Sequence, residues 1–278
     1  HIGVFRPPTL VGGLILGKWA VAALLNEFIT ALQFLTRIRL VREPACDEQS
    51  FGRSVAFFPL VGVVAGAILA LAAVATGGWL PATVRSSLLV SLWIFITGGL
   101  HCDGLMDTAD GVLSGRSPQR MLEIMKDSRV GAFGVVAMIL LLLWKWSLIH
   151  DMPASLLAPA LISMMAFGRF GMVLVILRFP YAREEGMGKA FSLYAGRRSL
   201  WIAVLTVLLL LAALWLFSGA LVAGCAAVAA LASAGFALLF GSWLTGKLGG
   251  LTGDMYGAAA ELAEVVALLA FILSAYIK

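Results

Sequence analysis

Along most of the chain, apolar runs alternate with short polar stretches. Several of these runs reach the roughly 20 residues that a helix needs to cross the hydrocarbon core of a bilayer. The pattern predicts spans at roughly 54–76, 87–101, 131–149, 155–178, 199–217, 220–245 and 256–277. The second is short and runs directly into an acid-rich stretch. Residues 12–36 are apolar enough to bury, but Lys18, Asn26, Glu27 and Gln33 recur along them, which suits an interfacial helix better than a span. The expected fold class is therefore all-α: a polytopic transmembrane helix bundle of about seven spans, one domain without a soluble appendage.

The charges sharpen this picture. The connections at 37–53, 102–130, 179–198 and 246–255 carry almost all the Lys and Arg found outside the spans, whereas those at 77–86, 150–154 and 218–219 carry only Arg85. The positive-inside rule makes the first set cytoplasmic and leaves the C-terminus outside. Every long polar loop lies on that side, so substrate is expected to enter from the cytoplasm and react near that interface.

Composition agrees. Hydrophobic residues make up 61% of the 278 and mean hydropathy is +0.99, while charged residues are only 13%, against about 25% in soluble domains. A net charge of +5 in such a chain says nothing for nucleic acid, because the placement of Lys and Arg matters more than their sum. Cys46, Cys102 and Cys225 show no paired spacing and exclude a disulfide framework or a Cys-based zinc site. No secretory cleavage pattern is evident, and a start at His1 rather than Met suggests a processed, tagged or trimmed end.

Between residues 98 and 134 lie five of the fifteen acidic residues: Asp103, Asp107, Asp110, Glu123 and Asp127. If the second span continues as helix, Asp103, Asp107 and Asp110 fall within an arc of about 60°. Three carboxylates on one face repel one another unless a cation sits between them. A set of oxygen ligands without sulfur or imidazole suits a hard ion, Mg²⁺ or Mn²⁺, of the kind used where phosphates are moved. A single pair of acids would read as a solvated helix end; three in register favour a metal site. His101 falls on the opposite face and reads as a core or supporting histidine. The stretch from Arg116 to Arg129 mixes both signs, and suits either a surface helix with internal ion pairs or a grip on phosphate.

Near the other end, residues 247–254 (KLGGLTGD) put glycines, Thr252 and Asp254 between two spans. Gly-rich backbone such as that at Thr252 and Gly253 can present N–H groups to an anion, and Asp254 can add a metal ligand. Glu261 and Glu264 follow inside an apolar span and are expected to point into the bundle, with Arg169 as their partner.

Four segments together resemble the cobalamin synthase family, the membrane-bound adenosylcobinamide-GDP ribazoletransferases. They are FLTR at 34–37, GGLHCDGLMDTADG at 98–111, EIMKDSRVGAFG at 123–134 and GGLTGDMYGA at 249–258. The similarity covers roughly 28–278, and residues 1–27 read as an N-terminal extension. Cys102 stands where leucine is frequent in the family. The resemblance implies a bacterial inner-membrane enzyme that joins adenosylcobinamide-GDP to α-ribazole or its 5′-phosphate and releases GMP. It implies attack by the ribose 5′-oxygen or the acceptor phosphate on the phosphorus attached to cobinamide. On this reading Mg²⁺, with Mn²⁺ as a substitute, sits on Asp103, Asp107, Asp110 and Asp254. Lys126, Arg129 and Arg169 neutralise the diphosphate, and the proton goes to Asp127, with Asp110 second.

Two other classes fit the motifs less well. CDP-alcohol phosphotransferases carry an Ala-Arg pair that this Asp motif lacks, and membrane prenyltransferases need a second Asp-rich motif where Asp254 stands alone. Ion-coupled transporters commonly show internal repeats and acids at mid-membrane; here no repeat is evident and the acids gather at one interface. Small-residue runs such as 226–234 suit packing within the chain or between copies, which leaves a homo-oligomer open.

Overall fold

A computed structural model of the chain describes residues 13–42 and 47–276. Residues 1–12 and Cys46 lie outside the described residues, as do the side chains of residues 13–20, Lys18 among them. The described residues form α1 (Gly13–Leu35), α2 (Glu48–Arg53), α3 (Phe58–Thr76), α4 (Ala82–Thr97), α5 (Leu100–Leu113) and α6 (Pro118–Ile124). There follow α7 (Ala132–Asp151), α8 (Ala154–Arg178), α9 (Met187–Tyr194), α10 (Arg197–Ser218), α11 (Ala220–Leu248) and α12 (Gly253–Tyr276). Six helical stretches are long and apolar enough to cross a membrane, and the bent pair α4–α5 makes a seventh if taken as one span.

Helix α8 is the axis of the bundle and packs against α3, α10, α11 and α12. In a bilayer apolar surface alone does not drive helices together, so close approach depends on small residues at the seams. Gly66 supplies one: a Cβ there would lie 2.6 Å from the Ile162 Cα of α8. Large apolar side chains of α7 and α10, among them Leu140, Trp144, Leu208 and Trp215, are exposed on the outside, where lipid tails are their natural solvent.

The second span departs from expectation. It does not continue into the acidic motif; Gly98 and Gly99 both take left-handed conformations, with φ of 66° and 71°, and the chain turns by 90° between α4 and α5. Consecutive positive φ values are strained for any residue with a Cβ, so the Gly-Gly pair is what permits the corner. The three aspartates still share one helix, because all lie beyond the break.

Helix α1 also differs from a simple interfacial helix. Glu27 is buried and accepts from Arg198 at 3.1 and 2.9 Å, and the Gln33 Oε1 accepts from the amides of Leu40 and Val41. Both polar side chains therefore serve packing and the turn that follows α1 rather than lipid head groups.

Beneath the acidic motif lies a buried ionic cluster. Glu261 and Glu264 of α12 do face inward, as their place in an apolar span predicts, but their partners include a residue the sequence reading overlooked. Lys145 of α7, fully buried, donates to both at 2.5 Å and lies over the Trp93 ring of α4, 3.5 Å from its centroid. Arg169 of α8 pairs with Glu264 rather than with Glu261. Two cations and two carboxylates thus join α7, α8 and α12. A buried pair contributes little net stability but is costly to break, because it leaves an uncompensated charge in an apolar medium.

Candidate active site

The site is set by how closely α5 lies on the start of α12. At Gly104 an added Cβ would stand 2.6 Å from the carbonyl oxygen of Asp254, so only glycine allows that approach. At Gly257 the backbone of α12 lies against His101 in the same way. The contact places Asp254, in the first turn of α12, beside the aspartates of α5. Asp107 is half-buried and faces the charges of Asp103, Asp254 and Asp110, offset in part by the positive charge of Arg183.

These four acids are not equivalent. Asp254 is held: its Oδ2 lies 3.0 Å from the Arg183 Nη1 and accepts from the Thr252 hydroxyl at 3.2 Å. Asp110 is held too, its two oxygens accepting from the amides of Gly131 at 2.7 Å and Gly134 at 2.8 Å. Those are free N–H groups at the start of α7, where a carboxylate also meets the positive end of the helix dipole. By contrast, neither Asp103 nor Asp107 accepts a hydrogen bond among the described residues.

Among the described residues, no three acidic or imidazole groups converge closely enough to hold a metal ion as their side chains now stand. The donor chemistry nevertheless fits a hard cation. Asp103 and Asp107 are carboxylates without a hydrogen-bond partner among the described residues, Asp254 neighbours both electrostatically, and like charges so placed repel unless a cation or proton joins them.

Other residues singled out from the sequence lie elsewhere. Arg169 is buried and committed to Glu264. Arg129 is exposed and grips Asp127 with Nε and Nη2, the shorter contact being 2.6 Å. That guanidinium holds the Asp127 carboxyl well below the usual range, at about 2. Lys126 is exposed beyond α6, within which Arg120 pairs with Glu123 at 2.7 Å. Thr252 is buried, and Gly253 begins α12. His101 is buried with its Nδ1 3.8 Å from Glu261 Oε1, a core position on the face away from the aspartates. Cys102 and Cys225 are buried, unpaired thiols.

Arg183 is the residue the sequence reading missed. It follows a segment pinned to the 249–252 turn, Ala182 N–H donating to the Leu251 carbonyl and Leu251 N–H to the Pro180 carbonyl, each at 2.8 Å. No local pattern announces such a long-range pairing of two loops. A cleft of about 540 Å³ opens beside Asp103, between the 33–39 segment and the Gly98–Gly99 corner.

Comparison with known proteins places the sequence in a family. The family model described as cobalamin-5-phosphate synthase matches residues 27–272. An adenosylcobinamide-GDP ribazoletransferase of Desulfitobacterium hafniense (strain Y51) is 41% identical over 243 residues, covering 86% of this chain and 93% of that protein. One of Roseiflexus sp. (strain RS-1) is 41% identical over 263 residues, 92% of each. One of Escherichia coli (strain K12 / DH10B) is 38% identical over 252 residues, 88% of this chain and 98% of its own. No solved structure matches. With the match running from α1 through α12, this chain belongs to the cobalamin-5-phosphate synthase family.

Proposed function

We propose that the protein is an adenosylcobinamide-GDP ribazoletransferase of the bacterial inner membrane, with its polar end facing the cytoplasm. The observation that carries the reading is that unengaged Asp103 and Asp107 lie within electrostatic reach of Asp254 at one polar end of the bundle. The names of the relatives and the concentration of basic loops at that end support it.

Asp103, Asp107 and Asp254 would hold Mg²⁺, with Mn²⁺ as a substitute, and Asp110 would join them through the second lone pairs of its amide-bonded oxygens. The ion, when bound, would neutralise charge on the diphosphate of the donor. Arg183 reinforces this from the protein side, since it already neutralises Asp254 and can turn to a phosphate oxygen. Lys126 and Arg129, exposed near the mouth of α7, would attract the anionic donor at longer range, and the backbone at Thr252 and Gly253 would offer N–H groups to it.

The nucleophile follows from the product. The family description names a 5-phosphate, which supports a product that keeps that phosphate on the ribose, and so attack by another ribose hydroxyl rather than by the 5′-oxygen or the acceptor phosphate expected from the motifs. On this reading a free ribose hydroxyl attacks the phosphorus attached to cobinamide; its O–P bond forms, the bond to the GMP oxygen breaks, and one proton is accepted. Of the two candidate bases, Asp127 is tied to Arg129 with its proton affinity lowered, which makes it a weak acceptor. Asp110 adjoins the cluster and would take the proton only as the alternative to holding the ion, on an oxygen released from the Gly131 or Gly134 amide.

The test is condensation in proteoliposomes. Purified full-length protein with adenosylcobinamide-GDP, α-ribazole 5′-phosphate and Mg²⁺ is expected to release GMP and form adenosylcobalamin 5′-phosphate. Folded protein that forms no product with either Mg²⁺ or Mn²⁺ would overturn the proposal.

A further inference from the structure

We propose that the cleft between α1 and the α4–α5 corner is the subsite for the guanosine monophosphate half of the donor, gripped by Arg37 and Arg39. The inference rests on the transferase reading and adds the place of the leaving group. The cleft, about 540 Å³, is within the range of small-molecule pockets. Arg37 and Arg39 both line it, both are exposed, and neither forms an ion pair among the described residues. Among the described residues Asp103 is the one carboxylate on its wall, so there the two guanidinium groups leave the cleft with excess positive charge.

Its floor has the same polarity. Helix α5 begins there at Leu100, its N-cap Gly99 offers no side-chain hydrogen bond, and Gly99, Leu100 and Cys102 of this first turn line the cleft, a terminus whose unsatisfied N–H groups suit an anion. Arg37 is fixed at that corner: its amide donates to the Ile96 carbonyl at 2.7 Å, and its Nη2 lies 3.5 Å from the Gly98 carbonyl. A planar guanidinium with a fork of donors suits a phosphate oxyanion, and a second can lie flat against a purine. The connection to Asp103 matters most. A phosphate in the cleft is next to the cluster where the diphosphate must be broken, so the same cations that bind the nucleotide would neutralise GMP as it leaves.

The test reads binding without turnover. Equilibrium dialysis of radiolabelled GMP is run with EDTA on the full-length protein in detergent, for wild type, Arg37→Lys, Arg37→Ala and Arg39→Ala, each checked by thermal melting. Loss of a charge-assisted contact predicts GMP binding weaker by about tenfold to a hundredfold in the alanine variants. Arg37→Lys, which keeps the charge and loses the fork, is expected to fall between, and α-ribazole 5′-phosphate binding is expected to stay unchanged. Wild-type GMP affinity in melted-as-wild-type Arg39→Ala and Arg37→Lys would overturn the proposal. So would loss of α-ribazole 5′-phosphate binding with GMP binding intact, since the cleft would then belong to the acceptor. The transferase reading fails separately, on absence of GMP release by wild type.

Discussion

Replacing Gly104 by alanine tests the architecture of the site with a single methyl group. The new Cβ would stand 2.6 Å from the Asp254 carbonyl oxygen and 3.0 Å from its Cα, both backbone atoms that cannot rotate away. Ordinary contact begins at 3.4 Å, so α12 must retreat from α5 by about 0.8 Å at this point. Overpacking of this kind costs about 1–3 kcal/mol, which the bundle can survive. The larger effect is on chemistry, because a misplacement of about 1 Å in a reacting constellation can cost about a hundredfold in rate. Gly104→Ala is therefore expected to reach the membrane folded, melt at a lower temperature and release GMP about a hundredfold more slowly. Gly246→Ala, whose added Cβ meets nothing within 4 Å, is the control and should match wild type. GMP release by Gly104→Ala at the wild-type rate would refute the claim that the α5–α12 contact positions the aspartates.

Two further expectations follow from the charges. Lys145→Met leaves two buried carboxylates with Arg169 as their one cation among the described residues and should destabilise the protein by about 3–5 kcal/mol. Adding Glu261→Gln should restore part of the loss; an unchanged melting temperature in detergent for Lys145→Met alone would contradict this account. Asp127 titrates at about 2, below its ordinary 3.8. Its stabilising pair with Arg129 is thus complete above the ordinary value and is lost only as pH falls through about 2, so Asp127→Asn should leave the pH profile of kcat/KM unaltered between about pH 5 and 9. Disappearance of an acidic limb from that profile would make Asp127 the base after all.

The span pattern was legible because lipid imposes length and apolarity on each helix independently of its neighbours. The inward turn of Glu261 and Glu264 was legible for the same reason, since carboxylates in an apolar span have nowhere else to go. The corner at Gly98–Gly99 was only partly so: a glycine pair permits a break, but its 90° angle depends on what α5 packs against. Lys145 falls within the span at roughly 131–149 without a local signal of its own, and only the fold shows α4, α7 and α12 meeting around it. Arg183 and the cleft at Arg37 come from loops far apart in sequence, joined by pairings such as that of Tyr181 with Leu251, which no local periodicity encodes.

The central claim is that Asp103, Asp107 and Asp254 form one cation-binding centre across two helices. Electron paramagnetic resonance of Mn²⁺ titrated into the full-length protein tests it most directly, comparing wild type with Asp107→Asn and Asp254→Asn. The account predicts a protein-bound Mn²⁺ signal in wild type, weakened in both variants alongside their loss of GMP release. Wild-type Mn²⁺ binding in both variants would contradict it.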